Sequence, residues 1–438
     1  MEEKNQDLVR HMIPFFADLA RSNREKDEPI HSSTKTRMVS LPSVHKGTSY
    51  FRVELKREGE EGEGTEEFLL KYFLPGGEKL NGFTREGLGR KPARNECEIM
   101  DLYRKGGANV PRPHSHHEEP GIIIMEDMGK NSLERCLMEE GLEERKRLVS
   151  LALDELGNFH RVGRQIQRDV LRELPHSIDP ERMESKAKKY FAVLTASEEE
   201  IREGDVNYRN PKGWKDFWRR FEPSVMEGIR GEAQLIHGDM TTYHVFINEN
   251  EEESEEAWIV DLGNPDFNLA TFDDAPLIFS QDSRIPIEDV KDVYIPHLEK
   301  SRLADVKGGS RAGFYREAKL RHLESLFNTA ILANLRRSSK ARILEVKYPD
   351  STFEDFVSQH PTYRGCRSFY HRSTLQVVDY LLENSRNYGF SEERISEYEG
   401  LRPILDDVLK GNWEYDKNTG VQNRVEGGKR EHKLSATT

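Results

Sequence analysis

Two aspartates bracket one short segment of the chain. Asp239 follows His237–Gly238, and Asp261 opens Asp261–Leu262–Gly263. Between them, Val245–Ile247 and Ala257–Val260 are apolar runs on either side of an acidic stretch, 249–256 (ENEEESEE). That pattern predicts a β-hairpin with a solvated tip. A hairpin brings its ends together, so both carboxylates should face one cleft. In such a pair one carboxylate can accept the proton of an attacking hydroxyl. The other can hold Mg²⁺ on a nucleotide phosphate, and phosphoryl transfer needs both. Each aspartate alone has an ordinary alternative, as a turn or cap residue.

The next chemical group is Lys71. It is the only charge in Phe68–Phe73, a run that reads as a strand. Strand alternation puts it on the same face as Leu69 and Phe73. A lysine there needs a partner for its ammonium, or must snorkel to an edge. The acidic candidates lie on the following helix, predicted over Ala93–Lys105: Glu96, Glu98 and Asp101. Two earlier strands, Val39–Leu41 and Tyr50–Leu55, enclose a turn, His45–Ser49, in which Gly47, Thr48 and Ser49 could approach phosphate. With one glycine and no GxGxxG, that turn is a weak signal. Ile122–Met125 reads as a buried strand that runs into Glu126, Asp127, Met128 and Gly129.

In this order the motifs resemble the aminoglycoside phosphotransferase and choline kinase branch of the protein-kinase-like fold. His237–Gly238–Asp239 is similar to that family's catalytic HGD, and Asp261–Leu262–Gly263 to its metal-binding element. Asp273–Asp274–Ala275 resembles the aspartate-leucine-alanine element that follows. The resemblance covers about residues 36–410. It implies Asp239 as the base or hydroxyl-orienting group and Asp261 as the Mg²⁺ ligand. It implies Lys71 on the α/β-phosphates and Glu96, rather than Glu98, holding it. It also implies backbone contacts from Glu126, Asp127 and Met128 to adenine. One position departs: the family's Asn five residues after the catalytic Asp is His244. Imidazole suits a softer ion such as Mn²⁺ better than Mg²⁺. His244 is therefore expected to ligate metal, to orient Asp239, or to mark lost catalysis.

The expected fold is α+β, a two-lobe kinase-like chain with a small β-rich lobe and a larger, mostly helical one. The expected boundaries are a helix and linker over 1–35, a nucleotide-binding lobe over 36–126, a catalytic and acceptor lobe over 127–411, and a disordered polar tail over 412–438. The helical patterns are 132–139, 142–162, 180–230, 270–280, 286–306, 311–337, 368–387, and one or two short pieces in 391–409 broken near Gly400 and Pro403. His160 reads as structural. Trp214, Phe217, Trp218 and Phe221 form a stripe at helical spacing that reads as core. Residues 75–92 are Gly-rich and read as a mobile insertion. The cluster His114, His116 and His117 reads as an exposed loop, with a metal site as the alternative.

Composition narrows the function. At 438 residues and a net charge of −13, the chain lacks the basic balance of a dedicated nucleic-acid binder and is compatible with a cationic small substrate. Much of that acid lies in two solvated tips, 58–67 and 249–256. No apolar run suits a membrane span, and three scattered cysteines suit a reducing cytoplasm. The expectation is an ATP- and Mg²⁺-dependent kinase for a small-molecule acceptor, without nucleic-acid or membrane partners. HGDMTT is also similar to the HGDLTT of small kinases that serve tRNA-modification complexes and of RIO kinases. A RIO-like atypical protein kinase and a nucleotide-binding pseudokinase scaffold are thus the alternatives.

Overall fold

The computed structural model describes residues 34–41, 48–57, 64–73, 92–118, 121–171, 180–209, 211, 213–249, 254–263, 265–303, 312–347, 366–410, 413–415, 422–426 and 429–430. Gly47, the amino-terminal helix, the 75–91 part of the insertion and most of the tail lie outside them.

The chain opens with strands β1 (Thr34–Leu41), β2 (Thr48–Arg57) and β3 (Gly64–Phe73). Helix α1 (Pro92–Lys105) follows, then β4 (Pro113–His117) and β5 (Ile122–Glu126). These five strands form one antiparallel sheet in the order β1-β2-β3-β5-β4. Its register sets Tyr50 opposite Lys71 and Lys71 opposite Ile123. Val53, Leu70, Met100, Tyr103 and Ile122–Ile124 are fully buried, so α1 packs its apolar face on this sheet. The histidine cluster belongs to β4 rather than to an exposed loop; it is half-buried, with His114 edge-on to Phe68 at 5.0 Å.

Helices dominate next: α2 (Leu133–Met138), α3 (Leu142–Leu171), α4 (Pro180–Thr195), α5 (Glu198–Glu203) and α6 (Trp214–Glu232). Ser132 caps α2 by accepting from the Arg135 amide. Strand β6 (Ala233–Ile236) leads into the HGD loop and a 3₁₀ turn, Thr242–His244. The expected hairpin is β7 (Val245–Glu249) with β8 (Glu255–Ile259). Strand β9 (Asp266–Leu269) then pairs antiparallel with β6 and feeds α7 (Thr271–Ile278). The remaining helices are α8 (Val290–Ser301), α9 (Ala312–Lys347), α10 (Cys366–Glu383), α11 (Ser385–Tyr388) and α12 (Glu392–Lys410).

The elements group into two compact units. The first holds the five-stranded sheet, α1 and residues 246–263; the second holds most of the helices together with β6 and β9. Sequence order puts 246–263 in the larger lobe. In space the hairpin joins the smaller unit because its edges hydrogen-bond there: Ile247 N to Asn131 O and Ile259 N to Asn109 O, both at 2.9 Å. In the second unit Phe191, Phe217, Phe221, Phe327, Ile331 and Leu335 are almost wholly buried. The expected aromatic stripe is core, with Trp214 stacked on Trp218 at 5.2 Å and Phe217 on Phe221 at 5.3 Å.

Three expectations need correction. Helix α9 runs ten residues past the expected end at 337, because no Gly or Pro interrupts the chain before Pro349 and the extension buries Ala341 and Val346. Residues 392–410 are one helix. Gly400 does not break it; a Cβ there would collide with the Arg220 guanidinium, so the glycine admits a close side chain. Finally, the polar tail contains three short antiparallel strands, Trp413–Tyr415, Gln422–Glu426 and Lys429–Arg430. The sequence between the last two is Gly-Gly, which suits a two-residue hairpin connection.

Candidate active site

The first unit gathers its charges on Lys71. The pleat of β3 turns this residue inward, where it is only 3% exposed. Its Nζ donates to both Glu96 carboxylate oxygens at 2.8 Å and to Asp261 Oδ1 at 2.5 Å. The Tyr50 and Phe73 rings flank it. Burial opposes the ammonium charge, but Asp261 and then Glu96 outweigh it, so the Lys71 pKa is raised well above that of an ordinary lysine. Glu96 is itself buried, whereas Glu98 pairs with Arg94 on the surface.

Asp261 follows β8 with a left-handed backbone, φ 63°. Such a conformation is uncommon outside glycine and tolerated best by Asn and Asp. The buried Leu262 anchors the turn, leaving the aspartate carboxylate partly accessible. A hard carboxylate oxygen is the donor that Mg²⁺ prefers, and the local set of one lysine and two carboxylates carries net negative charge. The residues therefore fit a divalent ion at Asp261. Among the described residues, no group of three or more His, Cys, Asp or Glu side chains forms a self-contained metal cluster.

The segment after β5 is tied down. The Glu126 amide donates to Arg112 O at 2.9 Å, and its side chain accepts from the Arg112 amide at 3.0 Å. The Asp127 carboxylate accepts from the Arg52 guanidinium and from the Gly129 amide. Met128 is buried. Of the phosphate-loop candidates, Thr48 and Ser49 start β2, while Gly47 lies outside the described residues.

The second unit builds a loop around Asp239. Strands β6 and β9 pair antiparallel, so β9 starts beside the loop that leaves β6, with Ile236 opposite Asp266. Asp273 on α7 accepts from the amides of His237 at 2.7 Å and Gly238 at 3.0 Å, and lies 2.9 Å from His160 Nε2. Burial pushes the Asp273 acid up to about 7, against the pull of His237 and those amides. Burial also holds His160 down at about 3, so its ring is neutral at physiological pH. Gly238 takes φ 81°, a turn that a side chain would strain. His244 Nδ1 lies 2.8 Å from the Asp239 carbonyl. A carbonyl only accepts, so Nδ1 carries the proton. His244 thus closes the loop, and any metal would have to take Nε2.

The Asp239 carboxylate accepts from the Arg336 guanidinium on α9. Burial alone would raise its pKa; Arg336, Lys340 and His244 together hold it well below the usual carboxylate range. Asp239 lines a pocket with Tyr190, Tyr243, Phe272 and Tyr370. Sequence reasoning missed Arg336, Arg337 and Lys340, which line the same pocket. A signal existed: Arg336 and Lys340 stand four and eight residues after the buried Leu332, on the continuation of the apolar stripe.

Residues 83–300 match the model of the phosphotransferase enzyme family (APH). A search of curated protein sequences gives no match. Similar solved structures include a Plasmodium vivax ethanolamine kinase, at 12% identity and TM-score 0.46, covering 75% of this chain and 80% of that one. A microcompartment-associated aminopropanol kinase is also 12% identical, with TM-score 0.46 and coverage of 84% and 98%. The GDP complex of aminoglycoside 2'-phosphotransferase-IIIa is 12% identical, with TM-score 0.42 and coverage of 76% and 93%. The matched residues include Glu96, the HGD loop and Asp261 of this α+β chain. This chain belongs to the phosphotransferase enzyme family and is itself a phosphotransferase.

Proposed function

We propose that this chain is an ATP-dependent small-molecule kinase that moves the γ-phosphate to a hydroxyl, or an amine, of its acceptor. The observation that carries the reading is the convergence of Glu96 and Asp261 on the buried Lys71. A lysine so held is preset to meet the α/β-phosphates, and Asp261 would hold Mg²⁺, or Mn²⁺ as the alternative ion. The bound ion supplies neutralisation of the developing phosphate charge. Gly47, Thr48 and Ser49 would cover the phosphates. Backbone groups of Glu126, Asp127 and Met128 would meet adenine, chiefly the latter two, because the Glu126 amide is already used.

Asp239 would orient the acceptor hydroxyl and take its proton. His244 positions that aspartate through its carbonyl, which favours retained catalysis over a scaffold. The aromatic lining around Asp239 suits a small acceptor better than a protein segment. No helix among the described residues is long and apolar enough to cross a membrane. We place the enzyme in the cytoplasm, where ATP is supplied and Cys97 and Cys136 stay reduced.

The test is ADP release by the purified chain with ATP, Mg²⁺ and a panel of small alcohols and amines. Acceptor-dependent turnover that stops on chelation is the expected result. Nucleotide binding without turnover on any acceptor would support the scaffold instead, and transfer to protein alone would support the RIO-like reading.

A further inference from the structure

The pocket beside Asp239 carries four cationic side chains: Lys186, Arg336, Arg337 and Lys340. Three carboxylates line it, Asp239, Asp266 and Asp282. They do not balance. Lys186 is matched to Asp266 at 3.2 Å, and Arg336 to Asp239. Asp282 accepts from Thr242 Oγ1 at 2.7 Å; burial raises its pKa, against the opposing pull of Thr242, Arg337 and Arg284. Arg337 donates to neutral oxygens, Tyr370 Oη at 3.2 Å and Pro276 O at 3.1 Å. Among the described residues no carboxylate pairs with Lys340, which is solvent-exposed. Arg336 sits one helical turn from Lys340 and pushes its ammonium down to about 8, as expected where positive charge is crowded.

An acceptor that carries an ammonium would meet this excess and be repelled. An acceptor that carries an anion would supply the missing partner, and its body would lie against Tyr190, Tyr243, Phe272 and Leu332. We infer that the acceptor is an alcohol bearing a carboxylate or a phosphate monoester, with its anion held by Arg337 and Lys340 and its hydroxyl presented to Asp239. The inference rests on the kinase reading above and narrows it.

The step balances with ATP as donor. The acceptor oxygen forms a bond to the γ-phosphorus. The bond from that phosphorus to the β,γ-bridging oxygen breaks, and its electron pair leaves with ADP. The hydroxyl proton passes to Asp239 and from there to water. Asp239 is engaged by Arg336 before the acceptor arrives, so the anion also offers Arg336 a second partner and loosens its grip on the base.

The test is ADP release with matched alcohols of three charge types: hydroxycarboxylates and phosphoalcohols, neutral alcohols, and amino alcohols with aminoglycosides. At least tenfold higher kcat/KM for an anionic member is expected, and the carboxylate and phosphate arms distinguish the two anions. Lys340→Gln should raise KM for that acceptor at least tenfold with kcat within a few-fold, while Lys340→Arg restores it. Lys340→Glu should move preference toward the amino alcohols. Thermal melting of each variant checks folding. Best turnover with a cationic or neutral acceptor would overturn the inference and leave the kinase reading intact. No phosphorylation of any acceptor would overturn both.

Discussion

Glu96 grips Lys71 with both carboxylate oxygens, each 2.8 Å from Nζ, at a point where both side chains are almost fully buried. A buried pair is costly to break, because removing one partner strands the other charge. Viewed as a strand lysine alone, Lys71 looks replaceable by methionine without harm to the fold. The geometry predicts otherwise. Lys71→Met should destabilise the first unit by roughly 3 kcal/mol, the usual scale for stranding a buried charge. Lys71→Met with Glu96→Gln should recover much of that, since no charge is left behind at Glu96, yet should not recover ATP turnover. Denaturant unfolding of the single and double variants checks this; additive losses would show that the pair is not coupled.

Asp239→Asn keeps the shape of the side chain and removes the charge. Turnover should fall by about 10² or more, the scale of a lost acid–base group, with nucleotide affinity within a few-fold. Its carboxylate is held ionised by Arg336 and Lys340, so the wild-type rate should show no acid limb from Asp239 above the normal carboxylate range. A limb there that vanishes in Asp239→Asn would contradict the assignment.

How far the sequence showed the site depended on distance along the chain. Lys71 stood out because a lone charge in an apolar strand violates the local pattern, and Asp239 because His237–Gly238–Asp239 and Asp261–Leu262–Gly263 flank one hairpin pattern. The clasp of Asp273 on the HGD loop needs β6 and β9 to pair, a contact across more than thirty residues that no local period encodes. Arg336 reaches Asp239 across 97 residues, from a helix whose length depends on tertiary burial of Ala341 and Val346. Arg52 on Asp127 is a similar long-range tie. The element types were readable from periodicity; the partners of charged side chains were set by the packing of elements far apart in sequence.

Asp273 holds two successive amides of the HGD loop. Asn at this position keeps one acceptor oxygen but turns an NH₂ toward an N–H donor. Asp273→Asn should cost about 1–3 kcal/mol of stability, the penalty of buried donors left unpaired. Turnover should also fall, with the KM for ATP little changed, because Lys71, Glu96 and Asp261 are untouched. Melting curves and initial rates measure both. A fall in rate carried wholly by the KM for ATP would disprove a role confined to the loop.

His244 donates from Nδ1 to the Asp239 carbonyl, so its first effect should be on the position of the base. His244→Ala should lower kcat by about tenfold, less than the roughly 10² or more expected for losing the acid–base group itself. The ratio of rates with Mn²⁺ and Mg²⁺ should stay as in the parent chain. His244→Asn should give the same ratio. If either variant shifts metal preference toward Mg²⁺, the imidazole is a metal ligand and the positioning role falls.

Lys340 supplies a titration that can be read in the kinetics. Repulsion by Arg336 is the main cause of its lowered pKa of about 8; burial adds to it, and Asp239 opposes it. The sign follows from the charge. Below pH 8 the ammonium is present and attracts an anionic acceptor; as pH rises through about 8 it loses its proton and that attraction. Arg336 stays charged throughout, its pKa raised by Asp239 against burial. KM for an anionic acceptor should therefore rise with pH above 8, while kcat, set at Asp239, stays level. For a neutral alcohol KM should not follow this curve. In Lys340→Gln the rise should be absent and KM high at every pH. Lys340→Arg should keep KM low past pH 9, because arginine remains charged. A KM for the anionic acceptor that is flat from pH 7 to 9.5 in the parent chain, or a rise that survives in Lys340→Gln, would take Lys340 out of acceptor binding.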